Sequence, residues 1–113
     1  MIIDTVDLLP KLDKKLIELL ESLSPEDWHR QSVAKLWKVK DVVAHLLDIN
    51  IRVLSTLRDD HSGENPTINS YQDLVDYLNE LNADWVKAMK RVSPTFLIEL
   101  HKITGPLFCE YYK

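Results

Sequence analysis

The amino-acid sequence predicts an all-α protein, an antiparallel, up-and-down helix bundle. Three observations carry this. Apolar residues recur at spacings of three and four along four stretches, the period of a helix with one buried face. Helix-starting residues, Ser24-Pro25, Ser70 and Ser93-Pro94, stand ahead of helical stretches. Glycine is scarce: Gly63 and Gly105 are the only two in 113 residues, so tight hairpins are not expected.

The first helix is expected from about Thr5 to Ser22. Leu9, Leu12, Leu16, Leu19, Leu20 and Leu23 line one face, while Lys11, Lys14, Glu18 and Glu21 cover the other. Pro10 is placed in the first turn, where its missing N–H costs little. Ser24-Pro25-Glu26-Asp27 combines a cap, a proline at the first helical position and a capping-box partner. No long apolar period follows, so a short turn of helix and an extended link from Gln31 to Trp37 are expected.

The second long helix spans about Val39 to Arg58. Val39, Val42, Val43, Leu46, Ile49, Val53, Leu54 and Leu57 form its apolar stripe. Asp41 near its start and Arg58 near its end suit the helix dipole. Asp59 to Asn69 has no period and contains Gly63 and Pro66, so it reads as an exposed loop. The third helix opens on Ser70-Tyr71-Gln72-Asp73 and keeps helical spacing through Leu74, Leu78, Leu81, Trp85, Met89 and Val92. Leu46, Leu78 and Trp85 are expected to be fully buried. Ser93-Pro94 starts a short fourth helix carrying Phe96, Leu97, Leu100 and Ile103, which Gly105-Pro106 ends. Phe108 to Lys113 then reads as the start of another helix. With so short a fourth helix, the four-helix bundle is expected to be incomplete.

Composition narrows the function. The chain is 45% hydrophobic and 28% charged, and its length suits a single domain over residues 1–113. A net charge of −4 offers no basic face for nucleic acid. Lys87, Lys90 and Arg91 read as last-turn cations complementing the helix dipole. Met1 to Pro10 carries Asp4 and Asp7 and no basic segment, unlike a signal peptide. The apolar runs are too short to span a membrane. A single cysteine, Cys109, excludes an internal disulfide and suits a reducing, cytoplasmic compartment.

The candidate chemistry centres on His45. It lies on a polar stripe of the second helix with Lys38, Asp41, Asp48 and Arg52, at the border between core and solvent. Such a histidine can offer one ring nitrogen to a metal while a carboxylate holds the other. It can equally be a boundary histidine bonded to Asp41 or Asp48. His29, His61 and His101 complete no site by spacing, and no H-x-x-x-H, H-E-x-x-H or C-x-x-C occurs. Cys109 has no adjacent base and reads as structural. Ser24 and Ser93 read as caps. Trp28, Trp37 and Trp85 read as core, with the first two pinning the segment between the long helices.

Two phrases carry a family resemblance. Leu23-Ser24-Pro25-Glu26-Asp27-Trp28, followed by Trp37-Lys38-Val39-Lys40-Asp41-Val42-Val43-Ala44-His45-Leu46-Leu47-Asp48, resembles the N-terminal half of DinB-like proteins. That superfamily includes the metal-binding domain of mycothiol-dependent maleylpyruvate isomerase. Its phrase is an L-S-x-E-x-W turn, a gap, then W-T-V-K-D-V-x-A-H-L. The Ile103-Thr104-Gly105 break is similar to the family's as well. The resemblance implies a four-helix bundle holding a divalent metal, Zn or Ni, with three histidines, the first matching His45. The other two normally lie on a later helix, and nothing from Ser93 to Lys113 matches them. Lys38 stands where the family often has a Thr or Ser cap. The chain is therefore either a fragment of a longer DinB-like domain or a shortened relative that has lost the site.

Two functions follow. One is a metal-dependent, thiol-dependent transferase or isomerase domain acting on a small molecule, its site incomplete in this chain. In that reading Asp41 or Asp48 supports His45. The other is a non-catalytic helical module that dimerises or binds a partner helix. The apolar face left open by a short fourth helix predicts a homodimer.

Overall fold

The computed structural model describes residues 5–34 and 36–112, with side chains from residue 8 onward. The reading of Met1 to Asp4, and of the Asp7 side chain, falls outside the described residues. The order is α1 (Thr5–Ser22), α2 (Pro25–Trp28), α3 (Val39–Leu57), α4 (Tyr71–Met89) and α5 (Pro94–Tyr111). Among the described residues there is no strand, only one isolated antiparallel bridge between Gln31 and Lys38.

Local chemistry explains the helix starts. Ser24 Oγ accepts the Asp27 amide at 3.2 Å, and Asp27 Oδ2 accepts the Ser24 amide at 3.0 Å, closing the expected capping box. The Ser70 and Ser93 hydroxyls cap α4 and α5 through the amides of Asp73 and Phe96. At α3 the cap comes from inside: Asp41 Oδ2 accepts the Lys38 amide at 3.0 Å. The Asp41 amide, which a hydroxyl at position 38 would have accepted, donates instead to the Lys38 carbonyl at 3.0 Å.

Contacts fix the helix directions. Lys40 Nζ reaches the Lys90 carbonyl at 3.0 Å, and Trp85 Nε1 donates to the Ala44 carbonyl at 2.7 Å, so α3 and α4 are antiparallel. Glu21 meets Lys102 at 3.6 Å and Asp13 abuts Gly105, so α1 and α5 are antiparallel. Val43 bonds His101 and Asn50 bonds Thr104, so α3 and α5 run parallel. Successive long helices alternate in direction, as an up-and-down bundle requires. In space α5 is the pivot between α1 and α3, and α4 flanks the other side of α3. The core is Leu20, Trp28, Val43, Ala44, Leu47 and Leu97, with Leu16, Ile51, Trp85 and Met89 packed against it.

Four expectations are corrected. The fourth helix is not short: α5 has 18 residues and passes through Gly105-Pro106, so the bundle has four long helices. A proline disfavours helical backbone in the preceding residue because its ring meets that residue's Cβ, and Gly105 has none. The segment from Phe108 continues α5 and starts no new helix. Pro10 lies inside α1, beyond its first turn. Finally, Leu78 is 39% exposed, and Leu46 and Trp85 are half-buried. Leu47, at 0%, is the buried centre of α3. α3 is apolar around much of its circumference, so its stripe could not say which side α5 would take. α3 is the one well-packed neighbour of α4 along its length, which leaves Leu78 partly in water.

Candidate functional site

His45 sits midway along α3, half-buried, as its border position implied. The Trp37 ring packs on it, with centroids 5.0 Å apart and planes tilted by 47°. Trp37 is thus a half-buried cover over the histidine, whereas Trp28 is true core at 3% exposure. Ser32, Ala34 and Trp37 are bonded to one another: the Ser32 hydroxyl donates to the Trp37 carbonyl at 2.6 Å, and the Trp37 amide to the Ala34 carbonyl at 3.0 Å. The His45 Nδ1 is buried and has no hydrogen-bond partner among the described residues. A buried nitrogen without a partner costs free energy that a ligand or water can recover.

The two carboxylates of the stripe have separate roles. Asp41 is spent on structure: it caps α3 and lies 3.7 Å from the Lys90 ammonium. Asp48 is the carboxylate that couples to His45. It is 7% exposed, and its Oδ2 lies 3.2 Å from Arg52 Nε. Burial pushes its carboxyl above the usual range, while the Arg52 and His45 charges pull it back. Asp48 and Arg52 also line a cleft of about 300 Å³ against Trp85 and Asp84 of α4. Trp37 and Asn82 line a larger cleft of about 570 Å³, and Asn82 Oδ1 is, with His45 Nδ1 and His101 Nδ1, a buried polar atom without a hydrogen-bond partner among the described residues.

The other histidines stay apart. His29 ends α2, His61 lies in the loop, and His101 is fully buried with Nε2 2.9 Å from the Val43 carbonyl. Among the described residues no three His, Cys, Asp or Glu side chains gather as a metal site would require. The three-histidine set implied by resemblance therefore does not fit these residues beyond His45. Cys109 is buried, and burial with the nearby Asp13 charge pushes its thiol up, away from reactivity.

A family model for the mycothiol maleylpyruvate isomerase N-terminal domain matches residues 9–104. The chain belongs to that family. The match spans most of α1, all of α2 to α4 and most of α5, and so takes in the Trp37–His45 pair. No curated protein and no solved structure matches significantly. As a member of the mycothiol maleylpyruvate isomerase N-terminal domain family, the chain is an all-helical bundle of the DinB-like kind. Among its described residues no helix is long and apolar enough to cross a membrane.

Sequence reasoning missed one polar cluster. Asp13 of α1 lies against Gly105 and is coupled to His101 and Cys109 of α5. Asp13 stands four residues after Leu9 and three before Leu16, and His101 four after Leu97, so each puts a polar group on an apolar face. Those two interruptions, with Gly105 inside the last helical stretch, were the signals that could have found the cluster.

Proposed function

We propose that this chain is the His45-bearing part of a metal-dependent, thiol-dependent isomerase or transferase acting on a small molecule. The observation that carries the reading is the buried, unpartnered His45 Nδ1 beneath Trp37, beside the carboxylate of Asp48. Family membership supports the isomerase class. His45 contributes one ligand to a divalent ion, Zn or Ni, and the other donors come from outside the constellation described above. Asp48 orients the imidazole by charge, and Arg52 holds Asp48 in place. The acidic balance disfavours nucleic acid as the substrate. The single cysteine suits a cytoplasmic setting. Paramagnetic Ni²⁺ titrated into the full chain tests this. Selective broadening of His45, Trp37 and Asp48 resonances supports it, and broadening confined to His29 or His61 contradicts it.

A second reading, a module that associates through its helices, has its own observation. Tyr71 and Leu74 lie one turn apart on an exposed side of α4, which has α3 as its one well-packed neighbour. We infer that a second copy covers this side, giving a two-fold homodimer. Light scattering that stays at monomer mass at high protein concentration contradicts it.

A further inference from the structure

The loop joining α3 to α4 is polar but tied to both helices. The His61 amide donates to the Ser55 carbonyl at 2.9 Å, and the Thr56 hydroxyl reaches the His61 carbonyl at 3.5 Å. Gly63 then turns the chain with φ of +66°, a conformation glycine adopts without strain. The turn brings Glu64 to α4, where its carboxylate accepts the Tyr77 hydroxyl at 3.3 Å. Beneath this strap lies a cavity of about 340 Å³. That is within the about 300–1,000 Å³ usual for small-molecule sites. Long loops in compact domains are commonly functional or unstructured, and this one is bonded at both ends.

The walls carry opposite charges. Arg52 is one lining residue, with its Nε turned to Asp48 at 3.2 Å. A guanidinium has further N–H donors on its two terminal nitrogens. Glu64 is another, and His61 lines the cavity as well. Tyr77 is within electrostatic reach of both charges: burial and the Glu64 carboxylate raise its pKa, and the Arg52 charge lowers it. Leu78 and Leu81 supply apolar lining. A simple anion entering here meets Glu64, and a simple cation meets Arg52. A molecule carrying both charges on an apolar stem satisfies both walls.

We propose that this cavity binds a small zwitterion, an α-amino acid with an apolar side chain. Its carboxylate pairs with Arg52, its ammonium with Glu64, and its side chain lies along Leu78 and Leu81. The proposal stands apart from the His45 reading and holds whether or not His45 meets a metal.

The test is a titration of the ¹⁵N-labelled full chain with leucine, and with its two half-charged analogues, 4-methylpentanoate and isoamylamine. Leucine is expected to shift the amides of Ser55, Thr56, His61 to Glu64 and Tyr77 to Leu81 saturably, and each analogue to bind at least about tenfold more weakly. Glu64→Gln, a change on an exposed loop, is expected to bring leucine down to the level of 4-methylpentanoate. Arg52→Gln is expected to bring it down to the level of isoamylamine, with the shifts of α1 and α5 unchanged as the check on folding. No saturable shift with leucine, equal binding of all three probes, or shifts centred elsewhere would overturn the proposal.

Discussion

The Asp13 carboxylate of α1 fills the space in front of Gly105 of α5 where any side chain would have to begin. This close approach locks α1 against α5, its one well-packed neighbour among the long helices. Three effects compete in Gly105→Ala. Alanine gains up to about 1 kcal/mol in helix propensity. Overpacking against Asp13 costs about 1–3 kcal/mol. The new Cβ also meets the ring of Pro106. The expected net is a loss of about 1–2 kcal/mol, read as a lowered urea midpoint. A raised midpoint would mean that Asp13 moves aside freely.

Beside that contact, burial lowers the pKa of His101 against the pull of its Val43 bond and Asp13, and raises the pKa of Asp13 against the pull of His101. The native state therefore binds a proton at His101 less readily than the unfolded chain does. The stability contributed by neutral His101 is complete above about pH 6.5 and is lost as pH falls through the lowered native value. Asp13 has the opposite sign: its contribution is complete below about pH 4 and is lost as pH rises through the raised native value. His101→Gln keeps a donor for the Val43 carbonyl and cannot titrate. Its urea midpoint should fall less than that of the natural chain when pH is lowered from about 7.5 to 5. Equal slopes would show that His101 is not the titrating group.

Leu47 and Leu78 separate the observed packing from a rotated alternative. Leu47 is wholly buried, and Leu78 is 39% exposed. Leu47→Ala should cost about 2–5 kcal/mol, while Leu78→Ala should cost less than about 1 kcal/mol. Chemical denaturation of both variants checks this, and the reverse order would contradict the α3 face described here.

Much of this fold was legible in local chemistry. The Ser24–Asp27 box and the Ser70 and Ser93 caps act within one turn, so their residues announce the helix starts. The limits of α1 and α3 followed from period and cap. What was hidden depends on partners distant in sequence. α5 passes through Gly105-Pro106 because Gly105 gives the proline ring no Cβ to meet, and the space a side chain there would need is taken by Asp13, some ninety residues earlier. The buried side of α3 was set by α5 lying parallel to it, and the spacing of valines and leucines is blind to that. At the candidate site, the position of His45 at the edge of the core was readable from its neighbours on the helix. The division of labour between Asp41 and Asp48 was not, because the four-residue and three-residue spacings look alike until Lys38 and Arg52 take their partners.

The central claim is that His45 is this chain's own metal-facing donor and the only one in the described constellation. Zn²⁺ titrated calorimetrically into the full chain and into His45→Ala tests it most directly. One imidazole falls short of the four donors of a closed site. The account predicts weak binding to the natural chain, removed by dialysis and abolished in His45→Ala. Stoichiometric Zn²⁺ retained through dialysis, or weak binding that survives in His45→Ala, would contradict it.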